Sequence, residues 1–233
     1  MKDFGKLVYL DLHKTGSSYI AQFLKSCCLL TENKSKSSKH DWIKEEYDSN
    51  NFYFISIRHP LSLYSSLFRY GLDEKGDVRR RLMKSDNLSA YSSFDSFVKF
   101  LIDEDNADLL GYGYNETYAK HIGFMSFRFL KLSLQFPHRK INRVLNTKGN
   151  IEELEKLFIT SLEIKNENLN DELRVLATER FPQYFQQDAV SKFLNNTKRV
   201  NASSTHSDNV DRLSDTTLSI LSSKEKLLFS RYQ

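Results

Sequence analysis

Apolar residues near the start of the chain form a short run that is followed directly by a stretch with helical spacing. The run KLVYLDL (6–12) is apolar, β-branched and aromatic, which predicts a strand. The stretch SSYIAQFLKSCCLL (17–30) has apolar residues at helical spacing, and Ser17 or Ser18 lies near the cap position. The opening unit is therefore predicted to be a strand, a tight turn and a helix.

The same arrangement recurs after a polar, serine-rich loop at 31–42. NFYFISI (51–57) is a second apolar strand candidate, and RHPLSLYSSLFRYG (58–71) follows it. Pro60 occupies the position expected for the first residue of a helix, and Gly71 fits a helix stop. A second strand is thus predicted to lead directly into a helix.

The rest of the chain is predicted to be mostly helical, with one further strand at 157–165 and a basic loop at 197–208. The predicted helices lie at 92–105, 116–136, 168–180 and 210–232. Alternation of strands and helices predicts one α/β domain over residues 1–233, with three layers and a mostly parallel central sheet flanked by helices.

Composition is typical of a folded globular protein, with 39% hydrophobic and 27% charged residues. The net charge of +4 is spread along the chain, so no nucleic-acid partner is expected. Cys27 and Cys28 are adjacent, which excludes a disulfide framework and indicates reduced core residues. No apolar segment is long enough for a signal peptide or membrane span, so a cytoplasmic location is predicted.

The turn HKTGSS (13–18) has the chemistry of an anion site. Small residues at a helix N-terminus present backbone N–H groups and the positive end of the helix dipole, which suits a phosphate or sulfate. The nucleotide-triphosphatase loop needs glycines where this chain has His13 and Val8, so its kinase form is absent. A simple helix cap with a lysine beside it is the alternative interpretation.

A second anion motif follows the second predicted strand. Arg58 ends that strand, Pro60 follows two residues later, and Ser66 lies eight residues after the arginine. A guanidinium fork matches phosphate oxygens, and a hydroxyl adds a neutral donor. The alternative is a structural arginine at a strand end.

Lys-Thr-Gly-Ser-Ser after an N-terminal strand, followed by the Arg58 and Ser66 pair, resembles the two donor motifs of sulfotransferases that use 3′-phosphoadenosine 5′-phosphosulfate (PAPS). The resemblance implies a P-loop-NTPase-like sulfotransferase fold, a PAPS donor and no metal. The stretch LGYGYNETYAKHIGFMSFRFL (110–130) resembles a bacterial carbohydrate-type branch of this family, which implies a saccharide or glycoconjugate hydroxyl as acceptor and an acceptor-side region at about 72–140. The implied donor contacts are Lys14, Thr15, Gly16, Ser17, Ser18, Arg58 and Ser66.

Two later stretches also resemble this family. EIKNENLNDEL (163–173) is similar to an architectural strand, turn and helix, and KRVNASS (198–204) is similar to a basic loop that closes over the donor. Arg199 and Asn201 are therefore predicted to contact the 3′-phosphate or the adenosine. A solvated basic loop is the alternative for this second stretch.

Sulfuryl transfer needs charge neutralisation on the departing phosphate and a base for the acceptor proton. Lys14 is predicted to supply the first. Histidine suits a base near neutral pH, and the family often places one where this chain has His40. Asp41, Glu45 or Glu46 could orient it or replace it, and a surface loop histidine is the structural alternative.

Two other functions remain open from the sequence. A P-loop phosphotransferase would need Mg²⁺ and a nucleoside triphosphate. A non-catalytic nucleotide-binding protein would keep the Arg58 and Ser66 site without a base. No His/Cys cluster at ligand spacing predicts a metal site, and the oligomeric state is not predicted.

Overall fold

The structure of the protein is a computed structural model that describes residues 1–37, 40, 47–147, 150–195 and 212–233. The chain divides into two compact units. The first unit comprises Met1–Arg58 and Lys131–Ala202, and the second comprises His59–Leu130 and Ser203–Gln233.

The first unit contains an open, mixed sheet of four strands in the order β1-β2-β3-β4. The strands are β1 Lys2–Phe4, β2 Leu7–Leu10, β3 Phe52–Ile57 and β4 Leu162–Lys165. β1 runs antiparallel to β2, whereas β2, β3 and β4 are mutually parallel. The predicted α/β class is confirmed, and the predicted strands at 6–12, 51–57 and 157–165 correspond to β2, β3 and β4. The hairpin strand β1 was not predicted.

The parallel strands bring three chain segments to one edge of the sheet. Leu10 pairs with Ile55, and Ile57 pairs with Lys165, so the carboxyl ends of β2, β3 and β4 lie at the same edge. All four residues of β2 are buried, and so are five of the six in β3. Burial on both faces explains why these strands read as continuous apolar runs in the sequence.

Four α-helices lie wholly within the described part of the first unit. They are α1 Ser17–Cys27, α8 Pro137–Asn146, α9 Leu169–Val175 and α10 Gln187–Leu194. The buried residues of α1 are those that the sequence spacing predicted, and Phe23 meets Phe193 of α10 edge to face at 5.5 Å. A five-residue π-helical turn, Leu176–Arg180, continues α9.

Helices alone form the described part of the second unit, where aromatic rings pack closely around Phe68. Its ring lies 5.6 Å from that of Phe94 and 5.4 Å from that of Phe97. The helix Phe124–Ser133 begins in this unit, and its last residues belong to the first. The helices are α2 Pro60–Leu72, α3 Asp77–Lys84, α4 Phe94–Ile102, α5 Ala107–Leu110, α6 Glu116–Ala119, α7 Phe124–Ser133, α11 Asp215–Lys224 and α12 Lys226–Phe229.

The prediction of a single helix at 116–136 is wrong, because two helices lie there. Residues 120–123 separate α6 from α7 and are not helical. The carboxylate of Glu225 is fully buried and accepts the backbone N–H groups of Met125 at 2.9 Å and Ser126 at 2.7 Å. Tyr64 Oη donates to the same carboxylate at 2.6 Å. A carboxylate at this position satisfies the first N–H groups of α7, so the helix starts there.

Gly71 does not stop a helix, contrary to the prediction, since α2 runs one residue further to Leu72. A Cβ on Gly71 would lie 2.2 Å from the ring of Tyr91, so this glycine provides room for an aromatic ring. Pro60 lies in the first turn of α2, as predicted. Within the described ranges, no helix is long and apolar enough to cross a bilayer.

Candidate functional site

The candidate site is the turn between β2 and α1, at the edge where the parallel strands end. Lys14 has φ +63° and Gly16 has φ +87°, so two residues of this short turn are left-handed. That region costs a residue with a Cβ about 1–2 kcal/mol, so the surrounding contacts must hold Lys14 in place. Gly16 is the N-cap of α1, which explains the glycine after the lysine in the motif.

Gly16 also packs against the segment that follows β4. A Cβ at this position would lie 2.8 Å from both Asn166 Nδ2 and Leu169 Cδ2. At these distances the ends of the Asn166 and Leu169 side chains would have to shift to admit a Cβ, and the positive φ disfavours a side chain independently. Asn166 thus packs against the turn of the candidate site. The sequence indicated only an architectural role for the segment that contains it.

Three buried hydroxyl groups connect the turn with the sheet. Thr15 Oγ1 donates to the carbonyl of Leu12 at 2.8 Å and lies 2.6 Å from Ser56 Oγ. Tyr9 Oη lies 2.6 Å from the same Ser56 oxygen. Because Thr15 uses its only proton on a carbonyl, Ser56 must donate to Thr15, and Tyr9 must donate to Ser56.

This direction of donation determines what Thr15 can offer a ligand. Its side chain is fully buried and its hydroxyl proton is committed to Leu12, so only the backbone N–H remains for an anion. Burial raises the pKa of Tyr9 well above its ordinary value, which keeps the phenol protonated as the first donor of the chain. The prediction of Thr15 as a donor contact therefore rests on its backbone.

The N-terminus of α1 has the charge balance that an anion requires. No side chain caps the helix, and its first turn contains no acidic residue. Ser17 is half-buried and Ser18 is exposed at this end. N–H groups and the helix dipole therefore point to a position without a competing carboxylate from this turn.

Arg58 joins the two anion motifs. It follows β3 directly, and its Nη1 donates to the backbone carbonyl of Lys14 at 3.4 Å. The guanidinium thus lies against the turn that carries the first motif, as expected for neighbouring parallel strands. Ser66 is half-buried on α2, in the second unit, and its role as a partner of Arg58 stays a prediction.

His40, the predicted base, is held by Asp11. Its backbone N–H donates to Asp11 Oδ1 at 2.8 Å, and its ring Nδ1 lies 2.9 Å from the carbonyl oxygen of Asp11. A carbonyl only accepts, so Nδ1 carries the proton, and Nε2 holds the lone pair of the neutral ring. Asp11 is only 4% exposed and was missed in the sequence, where YLDL reads as the end of a strand.

The ring of His40 also contacts His13, which lies inside the turn motif. The ring centroids are 3.5 Å apart with an interplanar angle of 32°. The first motif, Asp11 and His40 therefore form one group of side chains within the first unit.

The other described histidines lie on other elements of the chain. His59 precedes α2 and meets the ring of Phe229 edge to face at 5.4 Å. His121 lies in the turn after α6, and His138 lies in α8. Burial lowers the pKa of the His138 imidazole.

Several predicted residues lie outside the described part of the chain. These are Arg199, Asn201, Asp41, Glu45 and Glu46. Across the described ranges there is no group of three His, Cys, Asp or Glu side chains able to hold a metal ion. Cys27 is a buried free thiol and Cys28 a half-buried one.

Comparison with models of protein families, with curated proteins and with solved structures found no match.

Proposed function

We propose that this protein transfers a sulfuryl group from PAPS to a hydroxyl group, with a saccharide or glycoconjugate as acceptor and adenosine 3′,5′-bisphosphate as product. The observation that carries the proposal is the hydrogen bond from Arg58 to the carbonyl of Lys14. It supports a single donor site built from two motifs that are 44 residues apart in sequence. Neither motif alone distinguishes a donor site from a helix cap or a structural arginine.

The donor would be bound by complementary charge. The 5′-phosphosulfate would meet the backbone N–H groups of Thr15 to Ser18 and the ammonium of Lys14, where the first turn of α1 has no acid. Arg58 would bind the 3′-phosphate through its planar fork. The proposal includes a P-loop-NTPase-like sulfotransferase fold, for which β2, α1 and β3 are the supporting elements.

The transfer step moves one group and one proton. The bond between sulfur and the bridging oxygen of the donor breaks, and a bond between the acceptor oxygen and sulfur forms. The acceptor proton passes to Nε2 of His40, the nitrogen with the lone pair. Lys14 neutralises the charge that develops on the departing phosphate.

The buried hydroxyl of Thr15 favours this function over a P-loop phosphotransferase. In Gly-Lys-Ser/Thr loops the hydroxyl after the lysine binds Mg²⁺. Here that hydroxyl is fully buried and donates to the carbonyl of Leu12. The Asp11–His40 pair favours an enzyme over a non-catalytic nucleotide-binding protein, because simple binding has no need for an oriented base.

The test is transfer of label from PAPS carrying ³⁵S to a panel of bacterial polysaccharide fragments, with EDTA present. We expect labelled acceptor with EDTA and no turnover of ATP with Mg²⁺. Magnesium-dependent phosphate transfer would instead establish the phosphotransferase. Tight binding of adenosine 3′,5′-bisphosphate without transfer to any acceptor would establish the non-catalytic binder.

A further inference from the structure

We infer that Asp11 is the positioning residue of the base, holding the backbone and the ring of His40 together at the end of β2. The inference rests on the proposed function, since His40 is the base only if the protein transfers a group to a hydroxyl. Asp11 touches neither donor nor acceptor in this role and acts through the histidine.

Asp11 contacts His40 in three ways. Oδ1 accepts the backbone N–H of His40 at 2.8 Å, Oδ2 lies 3.4 Å from its Nδ1, and the Asp11 carbonyl lies 2.9 Å from the same nitrogen. Each oxygen of one residue therefore meets His40. Together these contacts fix both the position of the His40 backbone and the orientation of its ring.

The backbone contact stabilises His40 in a conformation that residues with a Cβ adopt uncommonly. His40 has φ +54°, in the left-handed region that residues with a Cβ disfavour. A charge-assisted hydrogen bond from a backbone N–H to a carboxylate is stronger than a neutral one. The hydrogen bond to Asp11 thus offsets the free-energy cost of the positive φ at His40, the residue whose ring orientation matters for the proton transfer.

The ring contact acts when the base takes its proton. When Nε2 takes the proton of the acceptor hydroxyl, the imidazole becomes a cation. Asp11 Oδ2 lies 3.4 Å from the other ring nitrogen, Nδ1. Two other ionisable groups contact this pair: the His13 ring, whose centroid lies 3.5 Å from that of His40 at an interplanar angle of 32°, and the Met1 amino group, which donates to Asp11 Oδ1. The carboxylate is the only one of these that favours a charged His40 ring.

The decisive variant is Asp11→Asn, which keeps the volume and removes the charge. Asp3→Asn is the matched control, because Asp3 is also a buried carboxylate of the sheet, and its Oδ1 accepts the Gly5 N–H at 2.7 Å, away from His40. We expect kcat to fall about 10- to 100-fold in Asp11→Asn, the effect of one charge-assisted contact. Binding of adenosine 3′,5′-bisphosphate should be unchanged, and Asp3→Asn should keep wild-type kcat.

A second measurement needs no turnover. The His40 ring is followed by NMR against pH in the free protein, assigned by its absence in His40→Ala. In Asp11→Asn its titration midpoint should move to lower pH, because the neutral amide no longer stabilises the imidazolium. Asp11→Glu keeps the charge, so it should restore part of the kcat and of the midpoint that Asp11→Asn loses.

The outcomes separate the inference from the function. An Asp11→Asn variant with wild-type kcat, while His40→Ala loses transfer and still binds nucleotide, would overturn the positioning role alone. An unchanged His40 midpoint would overturn it as well. A wild-type protein without sulfuryl transfer would overturn the proposed function, and a lowered midpoint in Asp11→Asn would then still establish the charge coupling between the two residues.

Discussion

Arg58 Nη1 donates to the backbone carbonyl of Lys14 at 3.4 Å, across the ends of two neighbouring parallel strands. This contact joins residues from two anion motifs that the sequence presents separately. Lys14 has a positive φ, which disfavours a residue with a Cβ, so the arginine contacts the turn at a residue with backbone strain. The hydrogen bond places the guanidinium against the backbone of the turn.

Replacing Lys14 with alanine should reduce sulfuryl transfer by about 10²- to 10³-fold, because the variant loses the cation that stabilises the departing phosphate. Lys6→Ala is the control, since Lys6 is an exposed lysine of the same unit and its loss changes the net charge equally. Initial rates with labelled PAPS measure both. Transfer at the wild-type rate in Lys14→Ala would remove this residue from the mechanism.

Gly16→Ala and Gly5→Ala separate backbone strain from close packing. Both glycines have positive φ, but a Cβ at Gly5 meets nothing within 4 Å, whereas one at Gly16 lies 2.8 Å from Asn166 and Leu169. We expect Gly5→Ala to lower the free energy of unfolding by about 1 kcal/mol, and Gly16→Ala to lower it by a further ~1–3 kcal/mol. Urea unfolding measures both, and equal losses would show that the turn does not pack against Asn166.

Ser56→Ala should destabilise the fold through the hydroxyl chain. It leaves the buried Tyr9 phenol without its acceptor, which costs about 1–3 kcal/mol in the free energy of unfolding. Adding Tyr9→Phe removes the stranded group, so the double variant should be more stable than Ser56→Ala alone. Strictly additive losses in urea unfolding would contradict a stabilising hydrogen bond between Tyr9 and Ser56.

Asp95 makes the stability of the second unit depend on pH in the acidic range. The hydrogen bond from Lys99 at 2.7 Å, with the backbone N–H of Ser214, holds the Asp95 pKa well below its ordinary value of 3.8. A lowered native pKa means that this stabilisation is complete above about pH 4 and is lost as pH falls towards the native pKa. Screening by solvent limits it to about 0.5–1 kcal/mol.

Asp95→Asn should therefore lower the free energy of unfolding at pH 7 and have progressively less effect below pH 4. Asp108→Asn removes an exposed carboxylate from α5 and serves as the control. Unfolding in urea at a series of pH values compares the two variants. A loss in Asp95→Asn that is the same at pH 2 and pH 7 would show that the hydrogen bonds act without the charge.

The sequence was sufficient to predict the elements whose own residues show a clear apolar pattern. β2 and β3 are buried on both faces and so appear as uninterrupted apolar runs, and the buried positions of α1 recur at helical spacing. The turn at Lys14 and Gly16 was visible because small residues follow a strand directly. Adjacency of β2 and β3 then brought Arg58 to that turn.

What the sequence did not predict depends on partners far away in the chain. Glu225 starts α7 by accepting the N–H of Ser126, and these residues are 99 positions apart. Asp11 and His40 are 29 positions apart, and an acid at a strand end has no local pattern that links it to a histidine. Tyr9 and Ser56 read as strand residues, although their hydroxyls support the turn.

Calorimetric titration of adenosine 3′,5′-bisphosphate without added metal tests the central claim most directly, using the wild type, Arg58→Ala and the control Arg174→Ala. Arg174 is an exposed arginine of α9 in the same unit, so its loss matches the charge change. We expect binding by the wild type and the control, and a Kd raised about 10- to 100-fold in Arg58→Ala. No binding by the wild type, or equal Kd values for all three proteins, would contradict a donor site formed by Arg58 and the Lys14 turn.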